Sequence, residues 1–145
     1  MQELIANSKP LSAISPAEGA AGTSTITGST IDTNDFRSVL FLVHVGPVVT
    51  GAVTSFKLQH GDASDLSDAA DIVGSSQTIA DDGDNLVRYA DVHGVTKRYC
   101  RIVVSRGTQN ATIGSAIALL YGATSAPFTQ TAVGETHASP ASGSA

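Results

Sequence analysis

Arg37-Ser38-Val39-Leu40-Phe41-Leu42-Val43-His44-Val45 is the stretch whose reading decides the fold. It is apolar, rich in β-branched side chains, and bounded by Asp35 on one side and Gly46-Pro47 on the other, so it predicts a short central strand rather than a helix. The next run, Ala52 to His60, alternates over its second half. That period of two sets Phe56 and Leu58 inward and Lys57 and Gln59 outward, as in a sheet with one wet face. Upstream, Thr23 to Ile31 alternates Thr with Ile, and Ile31-Asp32-Thr33-Asn34-Asp35 carries turn chemistry, so the two segments flanking it are expected to form a first hairpin.

Further strands are expected at Gln77–Ile79, Leu86–Val92, Tyr99–Val104 and Gly114–Gly122, with Asp81-Asp82-Gly83-Asp84-Asn85 as a turn between two of them. Ile113 to Tyr121 carries alanines that a helix would accept, but it lies between Gly107 and Gly122 and has the length of a core strand. The result is an all-β chain: a β-sandwich, jelly-roll-like, of six to eight short strands with extended N- and C-terminal arms. The domain is expected at 23–126. Residues 1–22 and 127–145, rich in Gly, Ala, Ser, Thr and Pro, are expected to be arms with too little apolar surface to hold themselves.

The chain has 145 residues, which fits one domain. Charged residues make up 14% and apolar ones 41%, so the missing charge is replaced by small polar and small apolar residues. Globular domains usually carry about 25% charge. Such a surface suits a protein that meets neighbours over much of its area. The net charge of −5 and only eight scattered basic residues argue against nucleic acid as a partner, because phosphate binding needs clustered Lys and Arg. No run has the length of a membrane span, so no membrane partner is expected. Met1 to Pro10 has neither a basic stretch nor an apolar core of the secretory kind, so synthesis and assembly are expected in the cytoplasm. The sequon Asn110-Ala111-Thr112 then has no glycosylating enzyme to meet.

No constellation carries chemistry. Cys100 is the sole cysteine, which leaves no intrachain disulfide, and it falls within a core strand. His44, His60, His93 and His137 lack metal-ligand spacing. Asp81, Asp82 and Asp84 share one turn but without the spacing or distal Glu of a calcium loop, and Asp62, Asp65, Asp68 and Asp71 read as a loop bonded to its own backbone. No serine, histidine and carboxylate set sits on a strained turn. No catalytic residue, cofactor or metal is therefore expected.

Four stretches carry a family resemblance: Ser55-Phe56-Lys57-Leu58-Gln59-His60-Gly61-Asp62, then Leu86 to Val92, Lys97-Arg98-Tyr99-Cys100-Arg101-Ile102-Val103-Val104, and Ala116-Ile117-Ala118-Leu119-Leu120-Tyr121-Gly122. Together they cover about half the chain and resemble small β-sandwich virion proteins of tailed bacteriophages. The resemblance implies a structural protein of the virion, on the capsid surface as a cement or decoration protein or else at the head-to-tail neck, with the major capsid protein as partner. A self-associating homotrimer bridging capsomers is the expected form. The arms would make the contacts through their few apolar groups, Leu4, Ile5, Leu11, Ile14, Phe128 and Val133. The late Arg98-Tyr99-Cys100-Arg101-Ile102 also resembles discoidin-like carbohydrate-binding sandwiches, for which Tyr89 and Tyr121 would be the stacking residues, though the chain has no Trp.

Overall fold

A computed structural model describes residues 4–125 and 127–136. After a 3-10 turn at Leu4–Ala6 come ten strands: β1 (Ser8–Ile14), β2 (Ile26–Thr27), β3 (Ile31–Asp32), β4 (Phe36–Val48), β5 (Val53–Gly61), β6 (Ala70–Asp71), β7 (Gln77–Ile79), β8 (Val87–Val92), β9 (Tyr99–Gly107) and β10 (Ala111–Ala123). One sheet runs β1-β10-β4-β8. The other runs β2-β9-β5-β6, with β3 also on β9 and β7 also on β5. Every pairing is antiparallel.

Taking β2 with β3, and β6 with β7, as two interrupted strands leaves eight positions. Their pairs are first with last, second with seventh, third with sixth and fourth with fifth. A folded ribbon wound once over itself gives that order, and it is the jelly roll. The expected sandwich is present. The expected first hairpin is not: β2 and β3 pair with β9, in the sheet opposite β4. Turn chemistry at 32–35 is real, with Phe36 N donating to Thr33 O and Asp35 at φ 69°, but the turn carries the chain from one sheet to the other.

The core lies between the sheets. On β4 the inward residues Val39, Phe41, Val43 and Val45 are fully buried, and Phe56 and Leu58 of β5 meet them from the other side. Small faces large across the ladder, since Ala118 of β10 pairs with Phe41 and Ala116 with Val43. Those alanines leave room for the phenylalanine ring and for the opposing sheet.

The N-terminal segment is not an arm. Ser8 to Ile14 is the edge strand of the first sheet, in register with β10 from Ser8–Tyr121 to Ile14–Ala116. A bulge between Ser12 and Ile14 turns both Ala13 and Ile14 into the core. The following run, Ala17 to Gly22, is laid over the end of β10. Ile113 N donates to Gly19 O, and Gly22 exchanges hydrogen bonds with Ala111. A Cβ on Gly19 would stand 1.7 Å from Ile113 O, so only glycine fits there. Arg106 fastens the run from the side, its Nη1 donating to Ala20 O and Ala111 O and its Nε to Ser24 O. Composition predicted disorder because each of these partners is some 80 to 100 residues away, as with Arg106 and Ala20, which are 86 apart.

Candidate functional site

The six residues expected to make contacts are divided by the fold. Ile14 is in the core, 1% exposed, and cannot meet a partner without unfolding β1. Leu11 is half-buried against the core, and Phe128 packs edge-on against Phe36 with ring centres 4.8 Å apart. Leu4, Ile5 and Val133 remain exposed, Val133 completely. Gln130 Nε2 donates to both Ile5 O and Ser8 O and so ties the C-terminal segment, three residues before Val133, to the start of β1.

The two outer faces of the sandwich differ. On the second sheet, Lys57, Gln59 and Arg101 form a polar mesh: Lys57 Nζ lies 2.7 Å from Asp71, Gln59 donates to the same carboxylate, and Arg101 Nε donates to Gln59. The Lys57 hydrogen bond, with help from Gln59, holds the Asp71 carboxyl below its usual range. On the first sheet the central outward positions are mostly apolar, with exposed His44 and half-buried Ser115 in the row beyond. The register sets Ser12, Ile117, Leu42 and Tyr89 in one row across four strands, and Pro10, Leu119, Leu40 and Asp91 in the next. Ile117 is 46% exposed and Tyr89 66%, with Leu40, Leu42 and Leu119 partly covered between them. The one carboxylate of these rows, Asp91, accepts a hydrogen bond of 2.7 Å from Tyr121 Oη.

Sequence reasoning missed this face, although the signal was present. Leu40-Phe41-Leu42-Val43 and Ile117-Ala118-Leu119-Leu120 are continuously apolar, which marks strands buried on both faces, while a strand with one wet face alternates.

Beside this face runs a groove of about 460 Å³, between β8 and the 72–77 segment, whose walls include Ile72, Gln77, Asp91 and His93. Leu86 O is taken by Val45 N of β4, so Tyr89 O points to the free edge, and Gln77 Nε2 caps it at 2.8 Å. A side chain thus blunts the edge strand, as exposed sheet edges require.

The acidic loops are backbone clamps. Asp84 accepts from Val48 N and Asp81 from Gly51 N, fixing the β4–β5 turn; Asp68 accepts from Asp62 N and Ala63 N, and Asp65 from Ser67 N. These hydrogen bonds lower the Asp65 and Asp68 pKa values, so whatever stability they add is present above the ordinary Asp range and lost as pH falls through the lowered values. His137 lies outside the described residues. No group of three or more metal-ligating side chains occurs among the described residues, and no helix there is long and apolar enough to cross a membrane.

Cys100, paired in register with His60, is 2% exposed, and burial pushes its thiol up to about 12. The folded protein is therefore expected to resist a thiol reagent such as iodoacetamide at pH 8 and to react fully once unfolded in denaturant; rapid labelling of the native chain would contradict its placement.

No protein-family model matches the chain, and no curated protein matches it. Solved structures of similar fold include the following two. One is the SPBc2 prophage-derived protein YomS, 14% identical, with TM-score 0.48, covering 82% of this chain and 98% of YomS. The other is the PBSX exported protein XepA, 13% identical, with TM-score 0.54, covering 97% of this chain and 46% of XepA. The likeness is one of fold. This chain spans about half the length of XepA.

Proposed function

We propose that this chain is a structural component of a bacteriophage particle, a cement or decoration protein that binds the capsid surface and stabilises the head by bridging capsomers of the major capsid protein. The observation that carries the reading is the tie between the two terminal segments: Gln130 holds the C-terminal segment on Ile5 and Ser8, while Leu4, Ile5 and Val133, in those same segments, stay exposed. A compact body with exposed apolar groups on its terminal segments suits attachment to a neighbour, and repeated copies sum weak contacts over a shell. The low charge and the resemblance to phage virion proteins support the same reading, as does the fold shared with XepA, described as a PBSX protein. Fold by itself does not set function.

The test is the particle. Phage heads purified from a strain encoding this chain are expected to carry it in many copies, and heads lacking it are expected to burst at a lower temperature. A triple variant, Leu4→Asp, Ile5→Asp and Val133→Asp, is expected to stay folded and to stop co-sedimenting with heads. Heads free of the chain in the wild type would overturn the proposal, and six or twelve copies at one vertex would replace cement by a neck protein.

A further inference from the structure

The outer face of the β1-β10-β4-β8 sheet is a second surface, distinct from the exposed Leu4, Ile5 and Val133. We infer that it is the contact face for a second copy of this chain, the two first sheets packing face to face into a homodimer. Three observations converge on a copy of itself as the occupant.

The first is charge. The chain carries −5 overall, with thirteen Asp and Glu, so two copies repel over most of their surfaces. In the two central rows of this face the one ionisable carboxylate is Asp91, already engaged by Tyr121. The other outward groups there are Ser12, Ile117, Leu42, Tyr89, Pro10, Leu119 and Leu40, so bringing two such faces together meets little like charge and leaves few polar groups unpaired. The polar mesh of Lys57, Asp71 and Arg101 makes the opposite face unfit for the same contact.

The second is area. Four strands about 4.8 Å apart and some seven residues long at ~3.3 Å each give a face roughly 20 Å on a side. That is enough to bury on the order of 500–600 Å² per copy, at the lower end of what specific dimers use. At its centre Ile117 and Tyr89 are exposed, with Leu40, Leu42 and Leu119 partly covered between them, and clustered exposed apolar groups of this kind mark interaction sites.

The third is shape. Two sheets with the same right-handed twist pack aligned, at about 30° to one another and ~10 Å apart, and identical faces satisfy this by symmetry. A two-fold contact of this kind closes on itself and buries the patch completely in the pair. Gln77, by capping Tyr89 O, keeps the neighbouring edge of β8 from competing through strand addition.

Sedimentation velocity of the full chain from about 1 to 100 µM tests this. The expected result is a species of twice the 14.7 kDa chain mass. Ile117→Glu and, separately, Tyr89→Glu are expected to weaken the dimer on the order of 100-fold, with circular dichroism and melting temperature close to wild type because both side chains already face outward. Lys57→Glu, on the opposite face, is expected to leave the dimer intact. If Ile117→Glu fails to fold, Tyr89→Glu, at the more exposed position, still decides. A wild-type monomer at the highest concentration, a trimer, or a dimer indifferent to both Glu substitutions would overturn the inference. Particle binding is scored separately on the same variants: a monomer that still decorates heads would sink the pairing and leave the proposed function standing.

Discussion

Deletion of residues 1–22 is expected to leave a chain with no cooperative thermal transition, not a folded domain stripped of an arm. The deletion removes all of β1 and with it the register from Ser8–Tyr121 to Ile14–Ala116. It takes Ala13 and Ile14 out of the core and exposes the flank of β10, whose Leu120, Ala118 and Ala116 are fully buried. It also deprives Arg106, Ile113 and Ala111 of the partners that Gly19, Ala20 and Gly22 supply. Loss of one buried Ile side chain costs about 2–5 kcal/mol, and the unpaired backbone of a central-turned-edge strand adds to it, against a total of ~5–15 kcal/mol for a domain. A shorter deletion, residues 1–7, removes the 3-10 turn but no strand, and is expected to melt within a few degrees of the full chain. Circular dichroism melts of both deletion variants check this; a cooperative, near-native transition for the longer deletion would show that β1 is dispensable.

The second large effect is expected from Phe41→Ala. Phe41 is fully buried at the middle of the central strand, paired with Ala118 on one side and Ala90 on the other. Both neighbours are alanines already, so neither can swell into the space left by the ring, and the cavity stays open. That places the cost at about 3–5 kcal/mol, a fall in melting temperature of roughly 10–20 °C for a chain of this length. A drop of less than about 3 °C would mean that the two sheets close over the gap.

Much of the fold was readable from local pattern. Phe56 and Leu58 face inward and Lys57 and Gln59 outward because the side-chain period of a strand is fixed by backbone geometry alone. The 37–45 run became the strand flanked by β10 and β8 because a segment that apolar can only be covered on both edges. The site was less legible. Composition assigned Ile14 and the 17–22 run to an arm, since Pro, Gly, Ala and Ser lack the surface to pack by themselves; they pack because β10 and Arg106, distant in sequence, receive them. The apolar outer face was written in Leu40, Leu42, Ile117 and Leu119, yet runs of this kind read only as core until the register shows that alternate members point away from it.

By itself, the sequence determined most strands between residues 26 and 123, the inward Phe56 and Leu58, the turn chemistry at 32–35 and 81–85, and the low charge, because these depend on composition and on neighbours two to four positions away. Only the tertiary structure decided that β2 and β3 join the sheet opposite β4, that the N-terminal segment closes the other sheet, and that the centre of one outer face is mostly apolar while its counterpart is a polar mesh. Those outcomes rest on pairings between residues such as Ser8 and Tyr121, far apart along the chain, whose free energy comes from area buried jointly and is encoded in neither segment alone.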